Sequence, residues 1–326
     1  MIIQVDVLRG EQVESRHEVD CAIADTHTGA IAGGVERVFL RSAAKPFQAA
    51  AIVASGALDG LEGGDELLAI IAASHSGEAK HTTLVERLLS QIGLDASALR
   101  CGVHPPLHAE TAARLGAAIS ALHNNCSGKH AGMLALARKL GVPGATYLDA
   151  DGPVQRLMRE TVAVVCGAKA EEIVVAIDGC GAMTFAVPLD QAARAFAVLA
   201  RPEVAPAPLR EPLARVAAAM VRHPDLIAGA ERFDTRLMEA TGSRLLAKVG
   251  AEAVQGIADR ERGAGLFLKV RDGAARAVAP ATLEALHASG SIDDATLQAL
   301  DDLWHPVLTN YAGTRVGRIE TQVVLG

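Results

Sequence analysis

The order of strand-like and helix-like patterning along this chain constrains its fold more than any single residue does. Residues 2–8, 19–24 and 35–40 alternate apolar and polar side chains, as half-buried strands do, and a last strand is expected near 317–325. Helical periodicity fills the middle, over about 43–55, 64–73, 79–92, 109–118, 128–140, 151–166, 190–200, 207–222 and 231–240. It returns at 280–288 and 293–302, after a stretch from 244 to 273 that reads as strands broken by Gly250, Gly256, Gly263 and Gly265. DTHTGA and AGG read as turns that make the first strands an antiparallel meander, and 171–189 reads as a strand, a Gly-Cys-Gly turn and a return strand. Strands at both ends of a helical middle imply that the termini meet in one sheet. The expected fold is α/β of the α+β kind, a mainly antiparallel sheet flanked by helices, with 1–326 as a single domain and a helical insertion in its middle.

Composition narrows the function classes. Half of the 326 residues are hydrophobic, enough to bury a substantial core. A net charge of −7 without a basic stripe or arm argues against nucleic-acid binding and favours small metabolites. The start, MIIQVDVLRGEQVESRHEVD, lacks a basic segment followed by an apolar one and reads as a first strand, not an export signal. No apolar run approaches the roughly 20 residues of a membrane helix, so no membrane partner and a cytoplasmic location are expected. Five cysteines (Cys21, Cys101, Cys126, Cys166, Cys180) without close pairing point to reduced or metal-bound thiols, not a disulfide scaffold.

Four islands concentrate reactive side chains. In Arg41-Ser42-Ala43-Ala44-Lys45-Pro46-Phe47 a serine precedes a lysine by three residues where a strand feeds a helix, so the two share a face. Burial or a cationic neighbour would lower the lysine pKa and let the free amine take the serine proton. A helix-capping serine with a solvated lysine would look the same in sequence, and Arg41 is either a site charge or an ordinary surface arginine. Ala73-Ser74-His75-Ser76-Gly77-Glu78 offers hydroxyls, an imidazole and a carboxylate in a turn, or simply a helix cap. Asn124-Asn125-Cys126-Ser127-Gly128-Lys129-His130 contains Gly-Lys but fails the phosphate-loop test, because His123 and His130 stand where glycine and a hydroxyl are required. What remains is a turn at a helix N-terminus whose amides could hold an oxyanion and whose thiol could be acidified, or a capped helix with a structural cysteine. Ile177-Asp178-Gly179-Cys180-Gly181 holds a cysteine at a sharp turn, but its distance in sequence from Cys126 matches no zinc-ribbon spacing.

Taken together, RSAAKPFQA, ASHSGE, NNCSGKHAGML, IDGCGAMTFAVPL and AKVGAEAVQG resemble, in order, the signature segments of the Rhizobium etli type L-asparaginases, also called asparaginase II. That family is distinct from the Escherichia coli and plant types, and the resemblance covers nearly the whole chain. It implies a fold similar to serine β-lactamases and penicillin-binding transpeptidases, and hydrolysis of L-asparagine to L-aspartate and ammonia by a homodimer. It also implies two Ser–Lys tandems, Ser42 with Lys45 and Ser74 with Lys248, although Lys269 lies in a comparable apolar strand. The resemblance further implies a zinc ion on Cys126, Lys129 and Cys180, completed by water; next to them in sequence, His130 and Asp178 are candidates to support the ligands. Ser42 is then the expected nucleophile, Lys45 its base, and Ser74 with Lys248 the proton relay.

Rival readings are a glutaminase, a β-lactamase or peptidase, a thiol amidase built on Cys126 and His130, and a non-catalytic zinc- or redox-responsive binding protein. A peptidase of the cell wall would carry an export signal and a K-T-G box, and Lys248-Val249-Gly250 keeps only the outline of that box.

Overall fold

A computed structural model describes residues 1–27, 31–32 and 37–324. Its strands are β1 (Ile2–Arg9), β2 (Gln12–Asp25), β3 (Ile31–Ala32), β4 (Arg37–Phe39), β5 (Val174–Ile177), β6 (Met183–Pro188), β7 (Leu245–Gly250), β8 (Val254–Asp259), β9 (Ala264–Val270), β10 (Val307–Thr309) and β11 (Arg315–Val324). The helices are α1 (Lys45–Ala54), α2 (Gly64–Ala72), α3 (Ala79–Gln91), α4 (Ala109–Leu115), α5 (Ser127–Lys139), α6 (Pro153–Cys166), α7 (Leu189–Ala200), α8 (Ala207–Arg222), α9 (Pro224–Ile227), α10 (Phe233–Ala240), α11 (Val278–Ala288), α12 (Asp294–Ala299) and α13 (Asp301–Trp304). The chain forms two compact units. The first comprises Met1–Ala43, Pro188–Ala200 and Arg236–Gly326, and the second Ala44–Val187 and Arg201–Thr235.

The first unit is built on an antiparallel sheet in the order β10-β11-β1-β2-β9-β8-β7, with β3 paired to β2. The two ends of the chain are neighbours in it: Ile2 lies opposite Val324 and Arg9 opposite Gly317. Alternation fixes the faces. Ile3, Val5 and Val7 of β1 are buried, while Asp6 turns outward and pairs with Arg16 across the strand through two hydrogen bonds of 2.7 and 2.9 Å.

Helices cover both faces of this sheet. A side chain at Gly256 or Gly265 would collide with Phe196 or the backbone of α7, so α7 lies directly on that face. Ile257, one residue on and therefore on the opposite face, lines a cavity with Leu286 of α11. A mixed α/β fold with a mainly antiparallel sheet flanked by helices is thus what the chain adopts.

The second unit is helical apart from the β5–β6 hairpin, in which Ile177 pairs with Met183. Its centre is α5, packed against α2 with almost no gap. A Cβ on Gly128 would stand 2.1 Å from Ile70 O, and one on Gly132 would stand 2.9 Å from Ile52 Cδ1 and Ile71 Cγ2. These glycines of the Gly-Lys island serve helix packing, and that close approach sets where the residues between them lie.

Three expectations need correction. Gly256 and Gly265 do not interrupt strands; they lie inside β8 and β9 because α7 leaves no room for a side chain. The strand expected at 19–24 begins at Gln12, and its polar first half is held to β1 by cross-strand pairing that includes Arg16 with Asp6. The third strand of the expected meander is not in this sheet: β2 pairs instead with β9, a long-range contact that local patterning cannot reveal. Residues 28–30, 33–36 and 325, on which parts of the expected turns and outer strands fall, lie outside the described residues.

Replacing Gly265 with valine should destabilise the protein by about 3 kcal/mol, the upper end for overpacking, because the opposing atoms are the backbone of α7. Gly179, with nothing within 4 Å of a built Cβ, is the control, and its alanine variant should stay within about 0.5 kcal/mol of wild type by chemical denaturation.

Candidate active site

Lys45 opens α1, with Pro46 next to it in the first turn, where a missing backbone N–H costs nothing. Its side chain is only 1% exposed, and burial holds its pKa below the ordinary lysine value. Three oxygens surround the amine, Ala73 O at 2.7 Å, Ser74 Oγ at 3.0 Å and Asn125 O at 3.0 Å, with the Cys126 sulfur beside them. A neutral amine has two N–H groups and one lone pair. With both N–H groups given to the two carbonyls, the lone pair faces the Ser74 hydroxyl, the geometry in which a lysine accepts a serine proton. Ser74 sits just past α2, where Ala73 turns the chain to extended backbone and Ser74 N donates to Ile227 O at 2.9 Å.

A second cluster adjoins the first. Cys126, Lys129 and Cys180 are all buried, with Lys129 Nζ 3.1 Å from Cys180 Sγ. The Cys126 thiol is held well below its ordinary pKa, first by a hydrogen bond with Cys180 and then by the neighbouring Lys45 and Lys129 side chains. Cys180, the partner in that bond, is pushed upward, so the pair favours one thiolate beside one thiol. Burial would lower the Lys129 pKa, but the two sulfurs and the Asp178 carboxylate reverse this and hold it above the usual range. Asp178 closes β5, where its carboxylate accepts from Gly179 N at 2.8 Å and its carbonyl accepts from Gly181 N at 2.8 Å.

His130 follows Lys129 on α5 and is fully buried. Tyr147 OH accepts from Arg100 N at 2.8 Å, which leaves its proton to point at His130 Nδ1, 2.7 Å away. The imidazole is therefore the Nε2–H tautomer, neutral because burial and two lysine charges press its pKa far down. Its Nε2–H has no hydrogen-bond partner among the described residues, an orphaned donor in the interior. The Cys126 thiol interacts with Cys180 and Lys45, while His130 directs its Nδ1 to Tyr147.

The donor set can be tested for a metal. Among the described residues no three His, Cys, Asp or Glu side chains gather as a metal site. Cys126, Cys180 and Lys129 nevertheless converge as two soft sulfurs and one amine, a set that suits zinc once the thiols and the amine lose their protons. The residues fit the ion, with the lysine as the unusual member.

The other expected residues belong to the first unit. Ser42 lies in a short 3₁₀ turn, Arg41–Ala44, and is 9% exposed. Arg41 has φ +48°, a left-handed conformation costly for a residue with a Cβ, and its guanidinium stands 4.0 Å from Glu252. Lys248 on β7 is fully buried, lies opposite Gly256, and donates to Val249 O at 2.9 Å. Lys269, its rival in sequence, is half-buried and donates to Glu252 O at 2.9 Å. Of the two, Lys248 is the more deeply buried.

Several contributors were not anticipated. Tyr147, which fixes the His130 tautomer, carries no local signal. Asn124 does, but its amide is spent on Cys101 O and Gly102 O at 2.9 and 3.1 Å, while its carbonyl accepts from Cys126 N at 2.9 Å. It shapes the loop and does not offer an oxyanion donor. Both histidines of the Ser74 turn and the helix after it are buried and neutral: His75 is pressed well below its ordinary pKa, and His81 down to about 4, in each case chiefly by burial. The unfolded chain takes up these protons near pH 6.5, whereas folded His81 resists until about 4. Stability should therefore fall as the pH drops from 6.5 toward 4, by at most about 1.4 kcal/mol per pH unit for each such group. Denaturant midpoints measured across that window should show a shallower slope in His81→Gln than in wild type.

A β-lactamase from Burkholderia ambifaria is 18% identical, with 85% of this chain and 96% of that one covered and a TM-score of 0.40. A β-lactamase from Mycobacterium bovis is 14% identical, with 89% and 95% covered and a TM-score of 0.42. At such scores the likeness does not carry the fold, which rests on the strand order itself. No curated protein matches the chain significantly. The L-asparaginase II family matches residues 5–321, nearly the whole length. This chain belongs to the L-asparaginase II family.

Proposed function

We propose that the chain is an L-asparaginase of the Rhizobium etli type, an amidohydrolase converting L-asparagine to L-aspartate and ammonia. Family membership supports amide hydrolysis, and one observation supports a lysine-based mechanism: the buried Lys45 amine, held by two carbonyls with its remaining position on the Ser74 hydroxyl. An alcohol is a poor nucleophile at neutral pH, and positioned acid–base catalysis contributes about 10²–10⁴-fold.

In this reading Ser42 Oγ attacks the side-chain amide carbon, and its proton reaches Lys45 by way of the Ser74 hydroxyl, which gives its own proton to the amine as it takes that of Ser42. Ser74 carries that proton on to the leaving ammonia, and water then releases aspartate from the acyl-enzyme, with Lys248 assisting. Ser42 is the more exposed of the two serines and follows a strained residue, as suits the hydroxyl that meets substrate; Ser74, at 2% exposure, suits a relay. Cys126, Lys129 and Cys180 would hold zinc, with Asp178 acting on Lys129 and the His130 Nε2–H free to orient an acceptor. When bound, the ion would supply a Lewis-acidic position for the amino-acid head group. The same family reading carries a homodimer, which sedimentation would reveal.

Ammonia release with asparagine and with glutamine, with and without chelator, tests the reading directly. Turnover of asparagine is expected, and its absence would overturn the assignment. Lys45→Met should lose about 10²–10⁴-fold in kcat with the fold retained. Mass spectrometry of quenched reactions should find an acyl adduct in Ser74→Ala but not in Ser42→Ala, and the opposite result would exchange the two roles. Metal analysis of Cys180→Ala should show zinc lost, whereas full occupancy would remove Cys180 from the ligand set.

A further inference from the structure

The three acceptors of Lys45 come from two chain segments, Ala73–Ser74 and Asn125. One side-chain bridge joins the residues just beyond them. His75 Nε2 lies 2.9 Å from Ser127 Oγ, between residues 52 apart in sequence. Every proton in this bridge can be placed. Gly77 N, an obligate donor, points at His75 Nδ1 from 3.2 Å, so Nδ1 is the acceptor and Nε2 carries the hydrogen. Nε2–H then donates to Ser127 Oγ, whose own hydrogen goes to Leu122 O at 2.8 Å. His75 is fully buried and stacks on His81 with ring centroids 5.2 Å apart, so its ring has little freedom to turn. No water competes for these bonds at zero exposure, and a one-way chain of donors has a single arrangement.

We propose that His75 is a positioning residue that sets the placement of Lys45 by locking the Ser74 turn to the Asn125–Ser127 loop. It touches none of the reacting groups; it holds the carbonyls that hold the amine. The proposal rests on the reading of Lys45 as the catalytic base. A displacement of about 1 Å at such a group costs on the order of 10²-fold in rate, so loss of the bridge should be felt in kcat before it is felt in binding.

The test compares three substitutions at one position. His75→Leu removes both bonds and should lower kcat about 10–100-fold while KM stays within about threefold. His75→Gln places an amide near Nε2, keeps the donor to Ser127, and should recover most of kcat. His75→Asn reaches only Gly77 N and should not. Ser127→Ala should reproduce the leucine defect, and the Ser127→Ala/His75→Leu double variant should be no worse than either alone.

Unchanged kcat in His75→Leu, equal behaviour of Gln and Asn, or additive losses would overturn the proposal. If His75→Leu fails to fold by circular dichroism, the Gln–Asn contrast still decides. A second readout does not depend on asparagine at all: labelling of Lys45 by an amine-reactive reagent, followed by peptide mass spectrometry. Labelling should rise in His75→Asn and stay at the wild-type rate in His75→Gln, and equal rates would overturn the proposal. A wild-type protein that releases no ammonia would sink the functional reading, while the labelling contrast would still judge the role of His75.

Discussion

The second unit depends on burying one amine. Lys45 is placed where water cannot reach it, and the cost of desolvating an ammonium there is several kcal/mol. Two backbone carbonyls and one hydroxyl offset part of that cost, and the rest appears as a lowered pKa. The packing of α5 on α2 and the turn after Ala73 deliver those acceptors. Glycine at 128 is the condition for it, because a side chain there would strike the backbone of α2, and glycine at 132 leaves room for Ile52 and Ile71.

The neighbouring lysine shows the opposite outcome from the same burial. Lys129 is as deeply enclosed as Lys45, yet its pKa is raised, because the two sulfurs and the Asp178 carboxylate outweigh burial there, whereas burial prevails over the same sulfurs at Lys45. Two buried lysines of one unit are thus pushed apart in proton affinity by what surrounds them. Such a separation assigns one as a base and the other as a persistent charge or, with its proton displaced, a ligand.

Much of this was legible in the sequence, and the reasons are physical. Strand alternation at Ile3, Val5 and Val7 and helical periodicity over α3 or α6 are local signals, set by which face meets the core. The reactive islands were visible because small polar residues stood against an apolar background. Tyr147 was invisible, since its role is a hydrogen bond to a histidine 17 residues away. Gly256 and Gly265 were misread as breaks because the helix that requires them, α7, lies some 60 residues earlier. The pairing of β2 with β9 was equally hidden, being a contact across most of the chain.

The sequence by itself determined the alternation that makes the sheet, the helical middle, the residues available for chemistry, and a family resemblance that the family match from 5 to 321 bears out at the level of L-asparaginase II. It could not decide which of those residues touch. Read along the chain, Lys45 belongs with Ser42, three residues before it, yet the hydroxyl found on its amine is that of Ser74, with carbonyls from two separate turns beside it. Only the tertiary structure made that choice, because a buried amine bonds the acceptors that packing brings within 3 Å, whatever their distance in sequence.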